Sequence, residues 1–210
     1  MESRMSFIRK YILPKEIDFN AYLLDQARLG HVVVADLYRI GTRDLPISDE
    51  NIHRITQRAE KLKSRNMEEL LDVFITPYDK ESIYRMITQL DWLILSVKHF
   101  FLEVRSYNIH CLGDYEPILK ILVTMSTDLE QGIAALEGRK LPAITKPISR
   151  IHLAYDQVVE SCARTTARLL SEEDCKHIIK HKDILAQLKE IGKRIQVTAN
   201  TLEDMAIKVI

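Results

Sequence analysis

The sequence predicts an all-α protein, a six-helix bundle made of two three-helix repeats. Three observations predict it. Apolar residues recur at the i, i+3, i+4, i+7 spacing of a helix face almost throughout the chain. Only 6 Gly and 6 Pro interrupt 210 residues, which favours long helices over many short strands. Several residue pairs recur in the same order at a nearly constant offset, the mark of a duplicated unit.

The elements follow in order. A first helix is expected near 16–41, with Gly41 at its end. Ser48, Asp49 and Glu50 offer oxygen acceptors for the start of a second helix over 49–74. Its apolar positions are Ile52, Ile55, Ala59, Leu62, Leu70 and Phe74. Thr76-Pro77-Tyr78-Asp79 suits the first turn of a third helix over 79–107. There Ile83, Met86, Ile87, Leu90, Leu93, Ile94, Val97, Phe100, Phe101 and Val104 form one wide apolar face. A fourth helix covers 115–137, bounded by Gly113 and Gly138. Pro142 and Pro147 mark the loop and first turn of a fifth, over 144–170. The sixth, over 174–209, carries Ile184, Leu185, Leu188, Ile191, Ile195, Leu202, Met205 and Val209 on its apolar side.

The echo is specific in its register. Ile52-His53 recurs as Ile151-His152 and Leu70-Leu71 as Leu169-Leu170, both 99 positions on, and Gln89-Leu90 recurs as Gln187-Leu188, 98 positions on. The expected repeats span about 16–107 and 115–210 within one domain over 1–210. A three-helix half has little core alone, so the halves are expected to pack as one body.

Composition narrows the function classes. With 46% hydrophobic and 29% charged residues the chain can bury a core and stay soluble. Lys+Arg and Asp+Glu are equal at 30 each, so net charge draws it neither to nucleic acid nor to anionic lipid. Residues 1–10 are charged and no apolar run follows, unlike a signal peptide. Residues 90–102, the most apolar stretch, are broken by Asp91, Lys98 and His99 and fall short of a membrane span. Cys111, Cys162 and Cys175 lack paired spacing and read as thiols of a reducing compartment, with the cytoplasm expected. There is no Gly-rich phosphate loop and no GxSxG elbow, so nothing points to an enzyme.

One stretch resembles a known family. Phe74-Ile75-Thr76-Pro77-Tyr78-Asp79-Lys80-Glu81-Ser82-Ile83 is similar to the run joining the second and third helices of PhoU-like phosphate-transport regulators. Leu90-Asp91 falls at that family's "LDD" element, residues 7–19 with Leu13-Pro14-Lys15-Glu16 resemble its opening, and Ala199-Asn200-Thr201-Leu202-Glu203 resembles its "AN-LE" run. The resemblance implies six helices in two repeats. It also implies work beside Pit-type or Pho-system phosphate transporters, and in many relatives metal clusters held by acids spaced i, i+4. Such spacing puts carboxylates on one helix face, where two helices can surround a hard cation.

This chain departs from the acidic pattern that the resemblance implies. Arg54, Thr56 and Arg58 stand at acidic positions of the second helix, and Glu60 takes the place of an Asp. In the third helix Asp91 is kept, but Trp92, Leu95 and Lys98 replace acids. Leu153, Tyr155 and Val159 do so in the fifth, Lys193 and Val197 in the sixth. Glu60 and Asp91 are left as the candidate ligands of a single weakly bound magnesium or calcium ion. The competing reading is a pair of helix-surface acids, with Asp91 beside the apolar stripe and paired with an arginine. His177 and His181, four apart, have zinc-ligand spacing with Glu173 or Asp174 as a third donor, but Lys176, Lys180 and Lys182 crowd that turn. Arg54, Arg58, Lys98 and Lys193 suggest an anion patch, against the simpler reading of a solvated face. Trp92 and Cys162 are expected as packing residues.

The function expected from the resemblance is a non-enzymatic cytoplasmic accessory protein of phosphate transport. It would dock a helical face on a transporter or that transporter's regulator, with self-association a further expectation and no cofactor. The alternatives are a PhoU-like protein that keeps a reduced metal site, and a helical scaffold unrelated to phosphate.

Overall fold

A computed structural model describes residues 17–43 and 49–208, and the described residues contain helices and no strand. Among the described residues the long helices are α1 (Phe19–Arg43), α2 (Asp49–Asp72), α3 (Lys80–Ser106), α4 (Glu116–Ala134), α5 (Leu141–Leu169) and α6 (Cys175–Ile207), with a 3-10 turn, Gly113–Tyr115, before α4. Two starts are fixed by carboxylates. The Asp79 side chain accepts from the Glu81 amide ahead of α3, and Asp174 accepts from the Lys176 and His177 amides ahead of α6. The expected opening stretch over 7–16, Ser48 and Val209 lie outside the described residues.

Packing sorts the helices into two groups. α1, α2 and α3 touch one another, as do α4, α5 and α6; the groups meet through α1 on α4 and α3 on α6. Among the described residues α2 packs on α1 and α3, and α5 on α4 and α6. The result is a central four-helix body with α2 and α5 on its flanks; α1 runs antiparallel to α4 and α3 to α6, as the pairs Arg28–Glu130 with Tyr38–Glu116 and Gln187–Glu103 with Lys208–Ser82 show. The sequence explains the sorting. Central α3 buries Ile83, Met86, Ile87, Leu90, Leu93, Ile94, Val97, Phe100, Phe101 and Val104, the whole expected face. Flanking α2 buries Ala59, Asn66 and Leu70 among its described side chains.

The buried positions of the two groups fall in one register. In α1, Gln26, Ala27, Gly30, Val33, Val34, Leu37 and Gly41 are buried. The positions 92 later in α4, from Ile118 and Leu119 through Leu122, Met125, Ser126 and Leu129 to Ile133, are buried too. From Met86 to Val104 each apolar buried position of α3 has a buried counterpart 98 later in α6, although some pairs, such as Phe100 and Thr198, differ in polarity.

A polar relay ties the first group together inside this apolar packing. The Gln26 amide donates to the Ile87 carbonyl at 2.9 Å, and Asn66 donates to Gln26 Oε1 at 3.1 Å. Gln26 and Asn66 are both 0% exposed. One amide pair thus fixes the rotation and height of α1, α2 and α3 against each other, because sliding any of them strands a buried donor or acceptor. In the second group Arg150 of α5 donates through Nε to buried Asp128 of α4 at 2.9 Å.

Four local expectations are corrected. Gly41 does not end α1, which runs to Arg43; a side chain there would meet Leu119 Cδ1 at 2.6 Å, so glycine permits the close approach of α1 and α4. The left-handed residues after α3 and α4 are Asn108 (φ 54°) and Arg139 (φ 47°) rather than Gly113 or Gly138. α5 begins at Leu141, earlier than expected, and carries Pro147 inside it. That ring is buried beside Gly132 of α4, where its packing compensates for the amide hydrogen bond that proline cannot make. Phe74 is not core at all: α2 stops at Asp72 and the ring is 91% exposed.

The relay makes a double-mutant prediction. Asn66→Leu leaves Gln26 Oε1 buried without its donor and lowers stability by about 1–3 kcal/mol, whereas Gln26→Met with Asn66→Leu recovers part of that loss. Urea unfolding of the three variants, followed by circular dichroism, measures both outcomes.

Candidate functional site

The acids expected as metal ligands sit on adjacent helices in different surroundings. Glu60 is exposed on α2, beside Gln57, Lys61 and Ser64 in a shallow surface depression. Asp91 on α3 is buried, and Lys63 of α2 places its ammonium 2.6 Å from Asp91 Oδ2. The expected partner was an arginine; a lysine one turn along α2 from Glu60 fills that role. Its ammonium occupies the hydrogen-bonding side of Asp91 that a cation would need. Among the described residues no three His, Cys, Asp or Glu side chains come together as a ligand set.

Basic and aromatic side chains hold the corresponding face of the second group. The Arg194 guanidinium of α6 lies over the Trp92 ring of α3, 4.6 Å from its centroid, and is itself held by Glu190 at 2.6 Å. Lys193 sits 5.5 Å above the Tyr155 ring of α5. Trp92, Leu95 and His99 from α3, with Gln187, Glu190 and Arg194 from α6, line a groove of about 220 Å³ along the seam between the halves. Gln187 closes one end by donating to Glu103 at 2.6 Å. Trp92 packs between helices at the seam, as expected, and is half-exposed there, while Cys162 is buried as expected and burial pushes its thiol up to about 11.

The four positions expected to form an anion patch are not gathered. Arg54 and Arg58 lie on α2, Lys98 on α3 and Lys193 on α6, and α2 does not touch α6.

His177 and His181 are together, but not as chelators. Their rings stack at 4.0 Å with 25° between planes, so their in-plane lone pairs run side by side instead of converging on one ion. His181 Nδ1 bonds the hydroxyl of buried Tyr115, His177 pairs with Glu172 at 3.4 Å, and Asp174 is spent as the cap of α6. This cluster clasps the 3-10 turn before α4 onto α6. Burial first, then the neighbouring His177, lowers the pKa of His181 from 6.5. Burial raises that of Tyr115.

Sequence reasoning missed Lys63, Arg194 and Tyr115, each of which acts on a side chain of a different element. The available signal was narrow: a lysine three residues from Glu60 on the same helix, and a lone tryptophan facing out of an apolar stripe.

With the geometry in place, the chain can be set beside known proteins. Its sequence matches no family model and no curated protein. Its backbone matches the crystal structure of a PhoU-like protein from Shewanella oneidensis MR-1, with a TM-score of 0.74 over 91% of this chain and 100% of the other, at 13% identity. The fold is PhoU-like. At that identity the likeness extends to the six-helix architecture and no further. No helix among the described residues is long and apolar enough to cross a membrane.

Two measurements test the electrostatics described above. Lys63→Met leaves the Asp91 carboxylate buried beside a methyl group and costs about 1–3 kcal/mol in urea unfolding, more than Lys61→Met on the exposed side of the same helix. Because the folded His181 pKa lies below its unfolded value, the unfolded chain takes up the proton first. Stability therefore falls as pH drops below about 6.5, and levels off once the folded ring also titrates. His181→Gln removes that part of the slope, read from melting temperatures across the acid range.

Proposed function

We propose that this chain is a non-enzymatic accessory protein of inorganic phosphate transport that acts by protein contact. We also propose that it works in the cytoplasm, at the inner face of a membrane that its partner spans. One observation carries the reading. Where the PhoU-like resemblance puts facing acids, this chain presents a Lys63–Asp91 ion pair and an Arg194–Trp92 stack. A face built of paired charges and half-exposed aromatics is suited to docking another protein, since such residues supply contact area and anchoring. A PhoU-like backbone supports the choice of client. The register of buried positions supports a further element of the proposal: the two three-helix groups, about 16–107 and 115–210, are copies of one unit within a single domain.

The reading with a reduced metal site at Glu60 and Asp91 competes poorly with this geometry, because Lys63 already neutralises the buried acid. Both are tested with the full chain. Tagged protein recovered from native membranes in mild salt should retain a phosphate transporter or that transporter's regulator, and repeated recovery without either overturns the proposal. Elemental analysis of the same preparation should show no stoichiometric divalent metal; metal that disappears in a Glu60→Ala, Asp91→Ala variant favours the competing reading.

A further inference from the structure

We infer that the tip where α2 turns into α3 is the docking point for a basic segment, with an apolar anchor, on a partner protein. The inference rests on the reading that the chain acts by protein contact, and names the surface and the chemistry it recognises. Three large apolar side chains stand in solvent there: Leu71 is 84% exposed, Phe74 91% and Ile75 69%. Water-facing apolar groups clustered within five residues mark a contact surface more than isolated ones do. The neighbouring backbone is held on both sides. Val73 is buried, its carbonyl accepts from Lys80 Nζ at 2.6 Å, and Thr76 donates to the Tyr78 carbonyl at 2.6 Å. Tyr78 is buried, and its hydroxyl donates to Asn20 Oδ1 at 2.6 Å. Phe74 and Ile75 are thus projected from a fixed loop, which spares a partner the entropy of ordering them.

Charge identifies the occupant. Glu68, Glu69, Leu71 and Asp72 line one surface depression at the end of α2. The last turn of that helix has no basic residue. Acids at a helix C-terminus add their charge to the negative end of the macrodipole. A cationic partner gains from both. The same sign repels anionic lipid and nucleic acid, and it opposes self-association through this patch, since a two-fold contact would set acid against acid. Segments that suit it are the Lys- and Arg-rich cytoplasmic loops of membrane proteins.

A fluorescent synthetic peptide with lysine on one helical face and leucine on the other serves as the probe, titrated into full-length protein and followed by anisotropy. Saturable binding is expected. Phe74→Ser with Ile75→Ser raises Kd by more than about tenfold. Glu68→Gln with Asp72→Asn raises it several-fold and flattens its salt dependence. Leu170→Ser with Ile179→Ser, removing exposed apolar groups at the opposite end of the bundle, leaves it unchanged. No binding by the natural chain, equal Kd in the tip variants, equal binding of a glutamate–leucine peptide or of anionic vesicles, or a dimer that the tip substitutions dissociate would each overturn the inference. Recovery of a transporter from membranes is scored separately. If natural chain and Phe74→Ser, Ile75→Ser variant retain it equally, the tip is excluded while the proposed function stands; if the natural chain retains none, that function falls and the peptide still tests the tip.

Discussion

Four of the six helices have to be apolar on more than one side, and the rest of the architecture follows from that demand. α1, α3, α4 and α6 each face a flanking helix within their own group and another helix across the seam. Their stripes are accordingly broad, and α2 and α5 are left with solvent along most of their circumference. Close approach also explains why glycine is tolerated within helices: an added methyl would lie within 3 Å of Leu119 at Gly41, across the seam, and of Leu202 at Gly132, within the second group. An apolar seam of this kind sets no unique height for the helices. Within each group height is set by buried polar bonds, Gln26 with Asn66 and the Ile87 carbonyl in the first, Asp128 with Arg150 in the second, and across the seam by Gln187 donating to Glu103 and Tyr107 to Asp183.

The fold was legible because helical periodicity is a property of the local sequence. All ten apolar positions expected in α3 are buried, and so are Ile184, Leu185, Leu188, Ile191, Ile195, Leu202 and Met205 in α6. The errors fall where periodicity stops carrying information. Phe74 continues the spacing of α2 by one more step, but the helix has already ended, so the same residue type points into water. Gly41 and Pro147 carry the local marks of helix ends and yet lie within helices, because contacts with Leu119 and with α4 outweigh propensity there.

The site was less legible than the fold, for a physical reason. Whether an acid binds a cation depends on what faces it from another helix, and that neighbour is separated from it in sequence: Asp91 lies 28 positions after Lys63, and Arg194 102 positions after Trp92. His177 and His181 show the converse. Their spacing was read correctly as shared position on a helix face, but spacing says nothing of ring rotation, and the stacked arrangement aims them at Tyr115 and Glu172 instead of at one ion.

The seam also contains a reporter of its own. Trp92 is the sole tryptophan of the chain, half in solvent, with the Arg194 guanidinium against its face. Its ultraviolet emission therefore arises from one place, the line where the two halves meet. Any parting of α3 from α6 uncovers the indole and reddens that emission without an added dye. The chain's natural fluorescence is in effect a strain gauge between its halves, and it reads their separation independently of helix content.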